Sequence, residues 1–183
     1  MKYSVLKIEK LNFELERTNT FVIDDVFTYR SNGLFGLITD EFQTIILPIY
    51  DEIIPAFTFH FWGRKNKKCK LYNFKNVEIN SLHFEEVAPF YNGFACVSKN
   101  GITFGFVDRN AKFQIPELYL KGKHLGNLFF AVGKEIQGKV KYGIINLQNE
   151  VIVRFQFNEI PTFTEVVLLL LKRRKPLREW LQL

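Results

Sequence analysis

Short apolar runs broken by polar punctuation recur along almost the whole chain. Phe35-Gly36-Leu37-Ile38 stops at the polar Thr39, and Thr44-Ile45-Ile46-Leu47 follows after a brief interruption. Glu150-Val151-Ile152-Val153 stands in the same relation to Tyr142-Gly143-Ile144-Ile145-Asn146. Runs of this length, closed by turn-forming residues, predict strands joined in hairpins. Asn, Asp and Thr start turns by bonding the backbone two residues on. A further predicted strand, Gly93-Phe94-Ala95-Cys96-Val97, returns to Phe104-Gly105 through Lys99-Asn100-Gly101. Phe27-Thr28-Tyr29-Arg30 returns to Phe35-Gly36 through Asn32-Gly33. Asn-Gly between apolar runs is a strong hairpin signal. Val5, Ile8, Leu11, Phe13 and Leu15 alternate enough for an edge strand, and Val166 to Leu171 for a last one. Pro176 to Leu181 predicts a short helix with proline in its first turn.

These runs are copies of one unit. An aromatic-Gly-aliphatic-aliphatic-polar pattern occurs at Phe35 to Thr39, Phe104 to Asp108 and Tyr142 to Asn146. A fourth, degenerate copy is Cys69-Lys70-Leu71-Tyr72-Asn73, with Lys70 in the glycine position. Fourteen residues after each anchor (Gly36, Lys70, Gly105, Gly143) sits an aromatic: Tyr50, Phe84, Tyr119 and Phe157. Three of these open polar, acid-containing boxes, Tyr50-Asp51-Glu52-Ile53, Phe84-Glu85-Glu86-Val87 and Phe157-Asn158-Glu159-Ile160; Tyr119-Leu120-Lys121-Gly122 has drifted. A period of 34 to 38 residues predicts a stacked array, because one hairpin cannot bury its own apolar face. The glycine admits close approach of a backbone or ring.

Composition agrees. The 183 residues carry 20 Phe, 7 Tyr and 2 Trp, and only five are Ala, which favours strands over helices. Length predicts one domain over 1–183, with a cap at 1–26, repeats at 27–163 and a C-terminal strand and tail at 164–183. The N-terminus has no continuous apolar stretch of the signal-peptide kind. The longest apolar run is the six residues Val166 to Leu171, against about 20 for a membrane-spanning helix. Two cysteines without close spacing predict reduced thiols. The expected compartment is therefore cytoplasmic.

The repeats resemble the WG-repeat (KWG) family of β-repeat proteins. Phe104-Gly105-Phe106-Val107-Asp108 with Ile115-Pro116 matches the start of the family pattern. Leu47-Pro48-Ile49-Tyr50-Asp51-Glu52-Ile53 matches its middle, and Phe90-Tyr91-Asn92-Gly93-Phe94-Ala95-Cys96-Val97 its end. The naming tryptophan is replaced by Phe35, Phe104 and Tyr142, and the usual turn glycine by Phe42, Ala111 and Asn149. The resemblance covers about residues 27 to 163. It implies an all-β array of about four hairpin-like repeats in one curved or spiral domain with atypical ends. It also implies a binding role without catalysis, and some bacterial members look like partners of toxins or secreted effectors.

The residues offer little else to a chemist. His60, His83 and His124 lie at no metal-binding spacing, so neither metal nor cofactor is predicted. The pairs Asp51-Glu52 and Glu85-Glu86 occupy one repeat register, which predicts a structural task rather than acid–base work. None of the four serines sits in a nucleophile elbow, and no glycine-rich phosphate loop exists.

The net charge of +6 points instead to an acidic partner. Cations gather in Arg64-Lys65-Asn66-Lys67-Lys68-Cys69-Lys70 and in Lys172-Arg173-Arg174-Lys175. With aromatics beside them, such runs could also hold nucleic acid. Rings in repeat register are assigned to packing. The contact candidates are those outside it, Trp62 and Trp180, with Arg64, Lys65, Lys67, Lys68, Arg173 and Arg174. The sequence thus predicts a non-enzymatic intracellular protein-binding module, in its sharper form an immunity or antitoxin-type protein that neutralises a toxin or effector. The alternatives are a carbohydrate or cell-surface binding module using Trp62, Tyr72 and Tyr91, and nucleic-acid binding through the basic runs.

Overall fold

The computed structural model describes residues 5–7, 14–16, 25–162 and 164. Most of the N-terminal cap, the predicted strand at Val166 to Leu171 and the predicted helix at Pro176 to Leu181 lie outside them. The regular elements are strands, as the composition predicts. Two compact units divide the chain, Met1–Pro89 and Phe90–Leu183.

In the first unit β1 (Val5–Lys7), β2 (Glu14–Glu16), β3 (Val26–Ser31), β4 (Leu34–Thr39) and β5 (Thr44–Tyr50) form one antiparallel sheet in chain order. A second sheet holds β6 (Glu52–Phe57), β7 (His60–Lys65) and β8 (Lys68–Asn73), and β9 (Glu86–Val87) follows. The core between them gathers Val26, Leu37, Ile46, Tyr50, Ile53 and Phe61. Aromatics join one copy to the next. Tyr50 meets Phe61 edge-on at 5.4 Å, and Phe61 stacks on Tyr72 at 5.6 Å.

In the second unit β10 (Ala95–Ser98), β11 (Phe104–Val107) and β12 (Phe113–Tyr119) are antiparallel neighbours. β13 (Lys121–Gly126), β14 (Phe129–Ile136), β15 (Lys139–Ile145) and β16 (Val151–Phe157) form the last sheet. One face of that sheet packs Phe130, Val132 and Ile145 against Phe106, Ile115 and Tyr119. The other face carries Phe129, Ala131, Ile144 and Val153. Interstrand rings again serve as mortar, with Phe106 and Phe130 at 4.7 Å.

The repeat is physical as well as textual. Thr39, Asn73, Asp108 and Asn146, three residues past each anchor, build the same turn. The backbone N–H of each donates to the carbonyl four residues on (Gln43, Val77, Lys112, Glu150) at 2.9–3.0 Å. The side-chain oxygen of each accepts from the N–H of that same residue at 2.8–3.1 Å. The third turn residue has positive φ in every copy: Phe42 at 62°, Asn76 at 59°, Ala111 at 54° and Asn149 at 65°. A glycine is the easiest residue there, and here four others accept the conformation.

Each glycine anchor faces a bulge. Phe35 pairs with Tyr50 and Leu37 with Ile46, so three residues of β5 stand opposite Gly36. Phe104↔Tyr119 with Phe106↔Ile115, and Tyr142↔Phe157 with Ile144↔Val153, repeat the arrangement. The aromatic of the second box is thereby the cross-strand partner of the aromatic before the glycine. A Cβ on Gly36, Gly105 or Gly143 would lie 2.4, 2.5 or 2.9 Å from the carbonyl oxygen of Ile46, Ile115 or Val153. Lys70 carries such a Cβ. Its copy has no regular return strand, only the bridges Tyr72↔Glu78 and Cys69↔Phe84, the second with bonds of 2.7 and 2.9 Å.

Candidate binding surfaces

The basic run Arg64 to Lys70 forms the end of the β7–β8 hairpin, turned by Asn66 and Lys67 at φ of 52° and 64°. The acidic boxes fold onto it. Arg64 Nε donates to Glu52 Oε2 at 2.6 Å, and its Nη1 to the Glu85 carbonyl at 2.7 Å. Asn66 N donates to Asp51 Oδ2 at 2.7 Å. Lys70 Nζ bridges both oxygens of Glu78. Two features that stand apart in the sequence are therefore each other's electrostatic partners. Lys65, Lys67 and Lys68 stay exposed at the tip.

The aromatic half of the expected nucleic-acid surface is not beside these lysines. Phe59 and His60 stand at the far end of β7, where His60 stacks on Phe57 at 4.2 Å. Trp62 is a correction: it is 0 % exposed, edge-on to Phe84 at 5.7 Å, and its indole N–H donates to the Ala88 carbonyl at 3.2 Å. β7 is a central strand with both faces covered, so a ring outside the repeat register is buried as deeply as one within it. Tyr72 packs on Phe61 and Tyr50. Of the three rings proposed for sugar stacking, only Tyr91 is largely exposed. Arg173, Arg174 and Trp180 lie outside the described residues.

The groups with chemical potential are tied into the scaffold. His124 is buried, with Nδ1 at 2.8 Å from the Tyr91 carbonyl and Nε2 at 2.9 Å from that of Asn127. Ser98 donates to the Thr103 carbonyl at 2.6 Å and so closes the β10–β11 loop. Burial pushes the Cys69 thiol up to about 11 and the Cys96 thiol up to about 12, which keeps both protonated and unreactive at neutral pH. Among the described residues no group of three His, Cys, Asp or Glu side chains is placed to hold a metal ion. No helix among them is long and apolar enough to cross a membrane.

Sequence reasoning missed where the basic excess resides. Residues 1–89 hold 11 Lys and Arg against 12 Asp and Glu, and residues 90–183 hold 14 against 7. The surplus belongs to the second half, although the densest described run is in the first. Part of it is the tail run Lys172 to Lys175; over residues 90–162, 9 Lys and Arg stand against 5 Asp and Glu, scattered by sequence and partly gathered by strand pairing. Lys134 lies across from Lys141, and Lys139 across from Ile136, at the end of the β14–β15 hairpin. The alternation of that hairpin was the available signal.

No curated protein matches the chain. The family described as WG containing repeat (WG_beta_rep) matches it at residues 78–101 and 142–165. The first match runs through the leading strand of the third copy to the turn after it, and the second covers the fourth copy with its anchor Gly143 and bulge. The same turn, and the pairing of the residue before the anchor with the second-box aromatic, are present in all four copies, so the chain carries WG-type repeats in degenerate form, and the family model matches it at two of these segments.

Proposed function

We propose that the protein is a non-enzymatic protein-binding module, and that the partner it holds is a toxin or secreted effector which it neutralises as an immunity or antitoxin-type protein. One observation carries this reading. The positions that repeat are consumed by the scaffold: polar residues by turns, glycines by bulges, aromatics by packing. What varies among copies and faces outward is a set of lysines and single apolar side chains. Such a surface suits contact with an acidic partner better than it suits a reaction centre. The family context supports a β-repeat module, and the absence of a nucleophile elbow or metal-binding spacing in the sequence supports binding over catalysis.

The test is capture of partners from the native cell with the tagged full chain, identification by mass spectrometry, and assay of the product of the adjacent gene. The expected result is one stoichiometric protein whose toxicity the chain suppresses. Failure to co-purify with, or to neutralise, that product removes the immunity reading. Recovery of no protein partner removes the binding-module reading as well.

A further inference from the structure

The β14–β15 hairpin runs on past its neighbours. β13 joins β14 no further out than Lys121↔Gly133, and β16 joins β15 no further than Tyr142↔Phe157. Beyond these, Lys134↔Lys141, Glu135↔Val140 and Ile136↔Lys139 pair only with one another, round a turn at Gln137 and Gly138. Alternation places Lys134, Ile136, Lys139 and Lys141 on one face of this two-stranded ribbon. Ile136 is 41 % exposed.

The cations there are held by neutral groups. Lys134 Nζ lies 5.1 Å from the ring centre of Tyr119 and 5.4 Å from that of Phe155. Lys141 donates to Asn158 Oδ1. The two ion pairs formed among the described residues, Arg64–Glu52 and Lys70–Glu78, both belong to the first unit. Three carboxylates of the second unit serve the chain itself, and Glu135, paired with Val140, alternates onto the opposite face of the ribbon. Asp108 accepts from two backbone N–H groups and Gln114, Glu117 from Lys99 N, and Glu150 from Asn146. Lys134 and Lys141 are held by neutral groups and Lys139 is exposed, so none of the three charges meets a carboxylate among the described residues.

We propose that this ribbon face docks an acidic surface on a partner protein, with Ile136 entering an apolar depression and the three lysines facing its carboxylates. The inference rests on the protein-binding reading above and says where that binding occurs. A nucleic acid fits less well. The surface offers lysine in place of the planar arginine fork. Of the rings nearest Lys134, Tyr119 is buried and Phe155 half-buried, which leaves no open platform for bases. An exposed isoleucine has no task against phosphate.

The experiment measures anisotropy of a labelled peptide of alternating glutamate and leucine against the full chain at about 50 mM salt, where screening is modest. K134E/K139E/K141E is expected to weaken binding about tenfold, I136S about threefold, and K65E/K67E/K68E at the other basic hairpin less than about twofold. K139Q leaves the ring contacts of Lys134 in place and is expected to lose about threefold, which guards against a folding defect in the triple variant. The proposal is overturned if wild type does not bind the peptide, if both triple variants lose equally, or if an oligonucleotide of equal charge binds more tightly. If a captured protein partner stays bound to K134E/K139E/K141E, this surface is wrong and the binding-module reading stands. If no protein partner exists, that reading falls first.

Discussion

At the scale of single residues the repeat is held by one polar residue per turn, bonded through backbone and side chain, and, in two places, by a link between copies. Tyr50 OH donates to Asn76 Oδ1 at 2.6 Å, and Tyr119 OH to Asn149 Oδ1 at 2.5 Å. In each case a ring fourteen residues past one anchor bonds the positive-φ residue six past the next. Tyr119→Phe is expected to cost about 1 kcal/mol, the net worth of a neutral hydrogen bond. Asp108→Ala removes an ionised acceptor from two backbone N–H groups and is expected to cost about 2 kcal/mol. Urea unfolding of both variants measures this, and a larger loss for Tyr119→Phe would contradict the assignment. The thiols give a pH signature. Cys69 and Cys96 ordinarily titrate near 9.0, and burial raises them to about 11 and about 12. Above pH 9 the unfolded chain loses these protons first. The stabilising contribution is therefore complete below pH 9 and disappears as pH rises through 11 to 12. The urea midpoint should fall over that range, and less steeply in C69A/C96A.

The element that defines the fold is the bulged return strand opposite the anchor glycine. Its carbonyl approaches so closely that a methyl group on Gly36, Gly105 or Gly143 cannot be accommodated by moving a side chain, because the obstacle is backbone. Each Gly→Ala change is expected to cost more than about 2 kcal/mol, in the range of overpacked core sites. Thermal melts of the three single variants test this. A fall in stability at Gly143 matching that at Gly36 would mean that the approach distance, 2.9 against 2.4 Å, does not set the cost. Pro48 and Pro116 both lie in the bulges of the edge strands β5 and β12, the middle residue of one and the first of the other, where a missing N–H breaks no ladder and blunts the edge against pairing with another chain. Lys70 marks the limit of sequence reading. The degenerate anchor was visible, but not that losing glycine there removes the regular strand while the turn and the Cys69–Phe84 pairing survive.

At the scale of the molecule, what repeats was legible and what cancels was not. Turn residues, anchors and second-box aromatics were readable because four copies impose the same constraint at the same spacing. The neutralisation of Arg64 by Glu52 joins residues twelve apart across β6 and β7, and only strand register brings them together. The burial of Trp62 is illegible for the same reason, since burial on both faces of a central strand is decided by neighbours rather than by the strand's own pattern. Its burial makes it a reporter for a last prediction. Within each unit the strand ladders join chain neighbours, and copies are linked at separations of 26 and 30 residues, less than one repeat length. Loop closure therefore costs little at each step, unlike in β-sandwiches whose strands pair across distant segments. The main refolding phase is expected on the millisecond scale, as for chains rich in local contacts. Stopped-flow fluorescence of a W180F variant isolates Trp62. A dominant phase of seconds that a prolyl isomerase does not accelerate would show that the copies do not assemble by local pairing.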